Sequence, residues 1–232
     1  MSNFAGIPRE ALNFLAELRA NNNRDWFLEN RDRCEEVLLA PARELVAQVG
    51  DLLRPKRPDI IADPRTDHSI YRLRRDTRFS RDKTPYKTHL ALWWWEGLEG
   101  RLECPGFYFH LTPDSLALSV GCYRFSEAGL AGWRKALLDP KKAAAFRRLI
   151  RDFAKTGAVF SEPELKRSPA GLDPAHPMAP WLRHKGFYSW TEEIPQPEEI
   201  FTPEAAEYIF QRFVPALKLH DWMVRTLSAA LS

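Results

Sequence analysis

Three runs of strand-forming residues lie close together in the middle of the chain, at His89–Trp95, Phe107–Leu111 and Leu116–Tyr123, with helical periodicity on either side of them. The second and third runs are separated only by Thr112, Pro113, Asp114 and Ser115, residue types that favour a tight turn. Strands joined that closely pair antiparallel, because a parallel pair needs a crossover of about a dozen residues or more. The expected class is therefore α+β: a central, mainly antiparallel sheet built as a meander, flanked by amino- and carboxy-terminal helices.

The flanks read as helices with recognisable ends. Pro8 suits the first turn of a helix reaching about Ala20, with Leu12, Leu15 and Leu18 at helical spacing and Asn21, Asn22 and Asn23 to end it. From Asp25 to Arg54 the apolar positions predict one long amphipathic helix, kinked or restarted at Pro41. The proline-punctuated stretch RPKRPDIIADPRTD leads to a strand-like segment, Ile70 to Arg74. After the meander, Ser126 caps a helix to about Leu138, and Asp139 with Pro140 opens another that Gly157 closes. A short helix near Pro177 to Lys185, stopped by Gly186, precedes a strand at Phe187 to Glu192. Thr202 and Pro203 then open the last helix, which Pro215 bends before it runs to the chain end.

A chain of 232 residues that is 44% hydrophobic can bury a large core, and residues 1–232 are read as a single domain, without internal repeats or a low-complexity linker. The most apolar run, Leu90 to Trp95, is far too short to cross a bilayer, and MSNFAGIPREALNF has neither a basic leader nor a signal-like apolar run. A cytoplasmic location is expected. Cys34, Cys104 and Cys122 lack C-x-x-C spacing, so reduced structural thiols are expected rather than a disulfide framework or zinc site.

Charge is concentrated in YRLRRDTRFSRDKTPYKTH, residues 71–89, which holds seven Lys and Arg against two Asp. That stretch carries +5 in a chain whose total is +3, so the remainder is slightly acidic. A local excess of this kind marks where an anionic partner would be held. Strand alternation sorts the neighbouring side chains. Phe107, Phe109 and Leu111 form an apolar side, with Tyr108 and His110 opposite. Leu116, Leu118, Val120 and Cys122 do the same, with Tyr123 at the end of the other side. Arg72 and Arg74 share one side of their segment and Tyr71 and Leu73 the other, while Lys87 and His89 share a side beyond the loop. If the polar sides coincide, a cleft is lined by Arg72, Arg74, Lys87, His89, Tyr108, His110 and Tyr123, with Arg78 and Lys83 on the adjoining loop. Guanidinium groups bind carboxylate or phosphate in a two-pronged fashion and lysine adds a compact charge. The bland alternative is a structural network in which the arginines pair with Asp76, Asp82 and helix carboxylates.

Other chemistries are poorly supported. His89 and His110 could ligate a metal, but Asp76 and Asp82 lie in a basic loop that would repel a cation, so no metal and no cofactor is expected. Ser80 and Thr84 have no nucleophile elbow or adjacent base, and phosphate-binding glycine loops and paired glycosidase carboxylates are absent. Trp93, Trp94 and Trp95 could stack on bases beside a basic groove, although alternation sends at least one into the core.

The segments NNNRDWF (21–27), RLRRDTRFSRDKTPYKTH (72–89), GFYFHL (106–111) and LKRSPAGLDPAHP (165–177) together resemble the uncharacterised family known as domain of unknown function 2461. The resemblance spans nearly the whole chain. It implies one α+β domain in a mainly bacterial family with no assigned reaction, and it carries no catalytic residue across. The last segment adds Lys166, Arg167 and His176 as candidates for the same site, if the chain folds back onto the cleft.

The leading expectation is recognition, with or without chemical conversion, of a phosphorylated or carboxylated small molecule by Arg72, Arg74, Arg78, Lys83, Lys87, His89, Tyr108, His110, Tyr123, Lys166 and Arg167. The alternatives are a nucleic-acid-binding module, with the charges along an open groove, and a structural or protein-interaction role, with the loop neutralised by its own acids or by a partner.

Overall fold

The computed structural model describes residues 4–228. In chain order the elements are α1 (Glu10–Ala20), α2 (Arg24–Glu29), α3 (Arg31–Cys34), a π turn (Glu35–Leu39), α4 (Ala40–Leu53), β1 (Leu90–Trp95), β2 (Gly106–Leu111), β3 (Leu116–Cys122), α5 (Glu127–Leu138), α6 (Pro140–Ala154), β4 (Val159–Phe160), α7 (Ala179–Leu182), β5 (Phe187–Glu193), α8 (Ala205–Phe213) and α9 (Leu217–Ser228). The class is α+β, and the antiparallel sheet has the order β1-β2-β3-β5-β4. By contact density the chain forms two compact units. Of the described residues, the first holds 4–94 with Tyr108–Leu118 and Glu192–Arg212; the second holds Trp95–Phe107, Ser119–Thr191 and 213–228.

In the first unit the expected helix at Asp25 to Arg54 is interrupted. Asn23 caps α2 by accepting from the Trp26 N–H at 3.0 Å, and α2 ends at Asn30. The chain then passes through α3 and the π turn, and Pro41 falls in the first turn of α4. A proline has no N–H to continue an α-helical ladder, so the wide turn and the restart lie where the ladder would otherwise be missing a donor. The apolar stripes of α1 (Phe14, Leu15, Leu18) and α4 (Leu45, Val46, Val49) are fully buried, and the Trp94 indole N–H donates to the Val46 carbonyl at 2.9 Å, tying β1 to α4. The strand expected at Ile70 to Arg74 is replaced by isolated bridges: a parallel one between Thr66 and Ile70, and two antiparallel ones, Ile70 with Leu92 and Arg74 with Tyr86. The registers of the two antiparallel bridges differ by two residues, so no continuous ladder can form between them.

The second unit is organised around aromatic rings. Trp133 of α5 meets Phe187 of β5 in a stacked contact at 5.3 Å and Phe146 of α6 edge-on at 5.2 Å, and Trp222 of α9 lies 4.9 Å from Phe146. The helix starts follow the capping rules: Ser126 accepts from the Gly129 N–H at 3.1 Å, and Asp139 accepts from the Lys141 and Lys142 N–H groups at 2.9 Å each. Strand β4, only two residues long, was not expected; it pairs antiparallel with β5 in the register Val159 with Trp190 and Phe160 with Ser189. Gly121 has φ +149°, and a Cβ there would overlap the Phe187 carbonyl, so this strand position admits only glycine. The last expected helix is split: α8 and α9 are separated by a 3-10 turn at Val214–Ala216 that contains Pro215, and its run to the chain end lies outside the described residues.

Among the described residues no helix is long and apolar enough to cross a membrane.

Candidate functional site

Strand alternation holds in the first unit. Phe109 and Leu111 are fully buried, whereas Tyr108 and His110 are half-buried on the opposite side of β2. Being two residues apart on one face, they interact directly, the Tyr108 hydroxyl lying 3.2 Å from His110 Nδ1. His89, just before β1, places its ring 4.1 Å from that of His110. Tyr71 meets Tyr108 edge-on at 6.0 Å, Trp93 meets the same ring at 6.0 Å, and the Lys87 ammonium sits 5.1 Å from the centre of the Tyr71 ring. Tyr71, Lys87, His89, Tyr108 and His110 thus form one half-buried polar cluster.

The NNNRDWF segment explains how this cluster is held. Asn22 of that segment makes two hydrogen bonds to the backbone of Tyr86, donating to its carbonyl at 2.9 Å and accepting from its N–H at 3.0 Å. Phe27 stacks on the Tyr86 ring at 4.0 Å. The backbone leading into Lys87 and His89 is therefore clamped from both sides of Tyr86, and the Lys87 N–H donates to the Leu73 carbonyl at 2.7 Å.

Burial sets the electrostatics. It pushes His89 down to about 3, with the neighbouring His110 and Lys87 adding to the effect. His110 is lowered by burial and by Lys87, while Glu192 pulls it back up. The Tyr108 phenol is pushed up, by burial first and by Tyr71 second. At neutral pH both imidazoles, lowered chiefly by burial, and the Tyr108 phenol, raised by it, are uncharged.

The other residues singled out in the sequence have different surroundings. Arg72 and Arg74, on the alternate positions from Tyr71, are exposed, and Arg72 lies 3.9 Å from Asp67. Arg78 is exposed and paired with Asp76 at 2.7 Å, and the Lys83 ammonium donates to the Thr77 carbonyl at 2.9 Å. Arg75 is paired with Asp82 and also donates to Thr84. Arginine–aspartate pairing of the kind a structural network requires is therefore present in the loop at Arg75 and Arg78. Trp93, Trp94 and Trp95 are all buried and offer no stacking surface. Tyr123, Lys166 and Arg167 belong to the second unit, where Tyr123 is exposed and stacks on Tyr188 at 6.1 Å. His176 accepts from the Met178 N–H at 3.1 Å. Tyr71 joins the cluster although alternation with Leu73 had suggested its side was apolar; its phenol is the signal that could have found it. Among the described residues no group of three or more His, Cys, Asp or Glu is arranged to hold a metal ion.

With this geometry in place the chain can be assigned to its class. It is an α+β protein carrying a half-buried His–Tyr–Lys cluster, and it belongs to the family described as conserved hypothetical protein (DUF2461), whose profile matches residues 10–222. No curated protein and no solved structure gives a significant match.

Proposed function

We propose that the first unit binds an anionic small molecule, through a phosphoryl or carboxylate group, at the cluster of Lys87, His89, Tyr108 and His110. The observation that carries this reading is the packing of two half-buried imidazoles at 4.1 Å beside the Lys87 ammonium. Burial holds both rings low, with Glu192 acting against it at His110 alone, which leaves an uncharged imidazole pair. An anion docked against it would stabilise imidazolium, gain a charge-assisted hydrogen bond and add to the attraction of Lys87. The exposed Arg72 and Arg74 supply long-range attraction, whereas Arg78 and Lys83 act mainly within their own loop.

Two consequences can be measured. Inorganic phosphate should raise the melting temperature by binding the native state, and more strongly at pH 6 than at pH 8, because binding takes up a proton. Calorimetry in buffers of different ionisation enthalpy would read that proton directly. His110→Gln with Lys87→Ala should abolish the shift, while Arg78→Ala should leave most of it. A folded double variant that keeps the full shift would sink the proposal.

One observation favours the nucleic-acid alternative. Phe79, in the basic loop, is 94% exposed, with the Arg78 guanidinium 5.8 Å from its ring centre. An exposed ring among cations is a stacking platform for single-stranded nucleic acid. On this reading, affinity for a labelled oligonucleotide should fall steeply with salt, Phe79→Ala should weaken it, and loss of Lys83 and Lys87 should flatten the salt dependence. Absence of binding at low salt would eliminate it.

A further inference from the structure

The segment LKRSPAGLDPAHP belongs to the second unit. There it builds a feature of its own. The Leu165 N–H donates to the Arg183 carbonyl at 3.1 Å, and the Glu164 carboxylate accepts from the Lys185 N–H at 2.7 Å. These bonds pin the start of the segment alongside residues 183–185. The rest is folded on itself by local turns, the Leu172 N–H donating to the Pro169 carbonyl and the His176 N–H to the Asp173 carbonyl at 3.1 Å each. The result is a groove of about 540 Å³ between the segment and the start of α7, with Lys166, Arg167, Ser168 and Arg183 supplying its polar atoms and Pro174 and Pro180 part of its apolar wall.

The charge in this groove is unbalanced. None of its seven lining residues is acidic. Lys166, Arg167 and Arg183 form no ion pair among the described residues, in contrast to Arg75 and Arg78 of the basic loop. Arg183 is half-buried; one end of its guanidinium is held by the Lys166 carbonyl at 3.4 Å, while its Nε is shielded from solvent and has no acceptor among the described residues. Leaving a charged donor shielded and unpaired is unfavourable unless something accepts from it. Two guanidinium groups, an ammonium and a hydroxyl around a groove with proline walls match the tetrahedral oxygens and double charge of a phosphate monoester, with space beside them for an apolar body.

We infer that this groove, built wholly within the second unit by Lys166, Arg167, Ser168 and Arg183, is a binding site for the phosphate group of a small phosphate monoester. The inference does not rest on the site proposed in the first unit, and the test keeps the two apart.

Phenyl phosphate is the probe, with singly charged phenyl sulfate as the control. Calorimetric titration into protein carrying Lys87→Ala and His110→Gln should still show phenyl phosphate binding. Adding Lys166→Ala and Arg167→Ala should weaken it at least tenfold, and phenyl sulfate should bind several-fold more weakly than phenyl phosphate throughout. In the unsubstituted protein the Ser168 and Arg183 amide resonances should shift as phenyl phosphate is added. That measurement decides the matter if the variants fail to fold. A folded Lys166→Ala/Arg167→Ala protein that binds phenyl phosphate within twofold of its parent, or Ser168 and Arg183 resonances unmoved at saturation, would overturn the inference. Binding lost through Lys87→Ala and His110→Gln alone would also overturn it and leave the first-unit site standing.

Discussion

The basic loop and the His–Tyr–Lys cluster are both parts of the first unit, yet their polar groups come together in opposite ways. In the loop, cations and acids lie close in sequence, and proximity pairs them: Arg78 with Asp76 two residues away, Arg75 with Asp82 seven away. The same pairing holds Asp76 and Asp82 down at about 2, the first through Arg78, the second through Thr84 and then Arg75. In the cluster, Tyr71, Lys87, His89, Tyr108 and His110 come from three separate stretches of the chain and are half-buried, and the acid that acts on His110 is Glu192, distant in sequence. Local density of charge in a sequence is therefore a poor guide to charge that remains available to a ligand. Exposed pairs within a loop contribute little to stability, whereas polar groups brought together by packing are coupled to the fold.

That contrast can be broken most forcefully at Tyr108. Tyr108→Ala removes a ring that touches Tyr71 and Trp93 and the hydroxyl facing His110, and should cost about 3 kcal/mol in urea unfolding, near the lower end for buried aromatic truncations. A loss as small as that of a surface substitution would show that the cluster is not coupled to the fold.

Asn22→Ala tests the clamp. Loss of both hydrogen bonds to the Tyr86 backbone should destabilise by about 1 to 2 kcal/mol. It should also speed amide exchange at Lys87, whose N–H lies in the same stretch.

The third effect is a pH dependence. His89 is held at about 3 in the folded state against an ordinary value of 6.5. Its contribution is complete above about pH 6.5 and is lost as pH falls toward 3, because the unfolded chain takes up a proton that the folded chain refuses. Between pH 6 and pH 5 the unfolding free energy should fall by about 1 kcal/mol per pH unit from this group. His89→Gln should flatten that slope, and an unchanged slope would show that His89 is solvated.

The smallest effect is expected in the loop. Arg78→Ala should leave the urea midpoint where it was, since the pair it breaks is exposed. A clear loss of stability would erase the distinction between the two regions.

Much of this was legible in the residues themselves. Alternation in GFYFHL separated Phe107, Phe109 and Leu111 from Tyr108 and His110, and Ser126, Asp139 and Pro140 marked helix starts, because both signals depend on backbone geometry within a few residues. The π turn before Pro41, the broken pairing at Ile70 to Arg74 and the two-residue β4 were not legible, since each is set by partners distant in sequence.

The sequence by itself determined the α+β class, the faces of the central strands and the place where cations are most numerous, all of which follow from local periodicity and composition. Only the tertiary structure decided which of those cations are neutralised by neighbouring aspartates, that Tyr71 rather than Arg72 or Arg74 meets Tyr108, and that Lys166, Arg167 and Arg183 line one groove. The physical reason is that pairing and burial depend on distance in space, and short-range rules along a chain carry that information only where the partners are also neighbours in sequence.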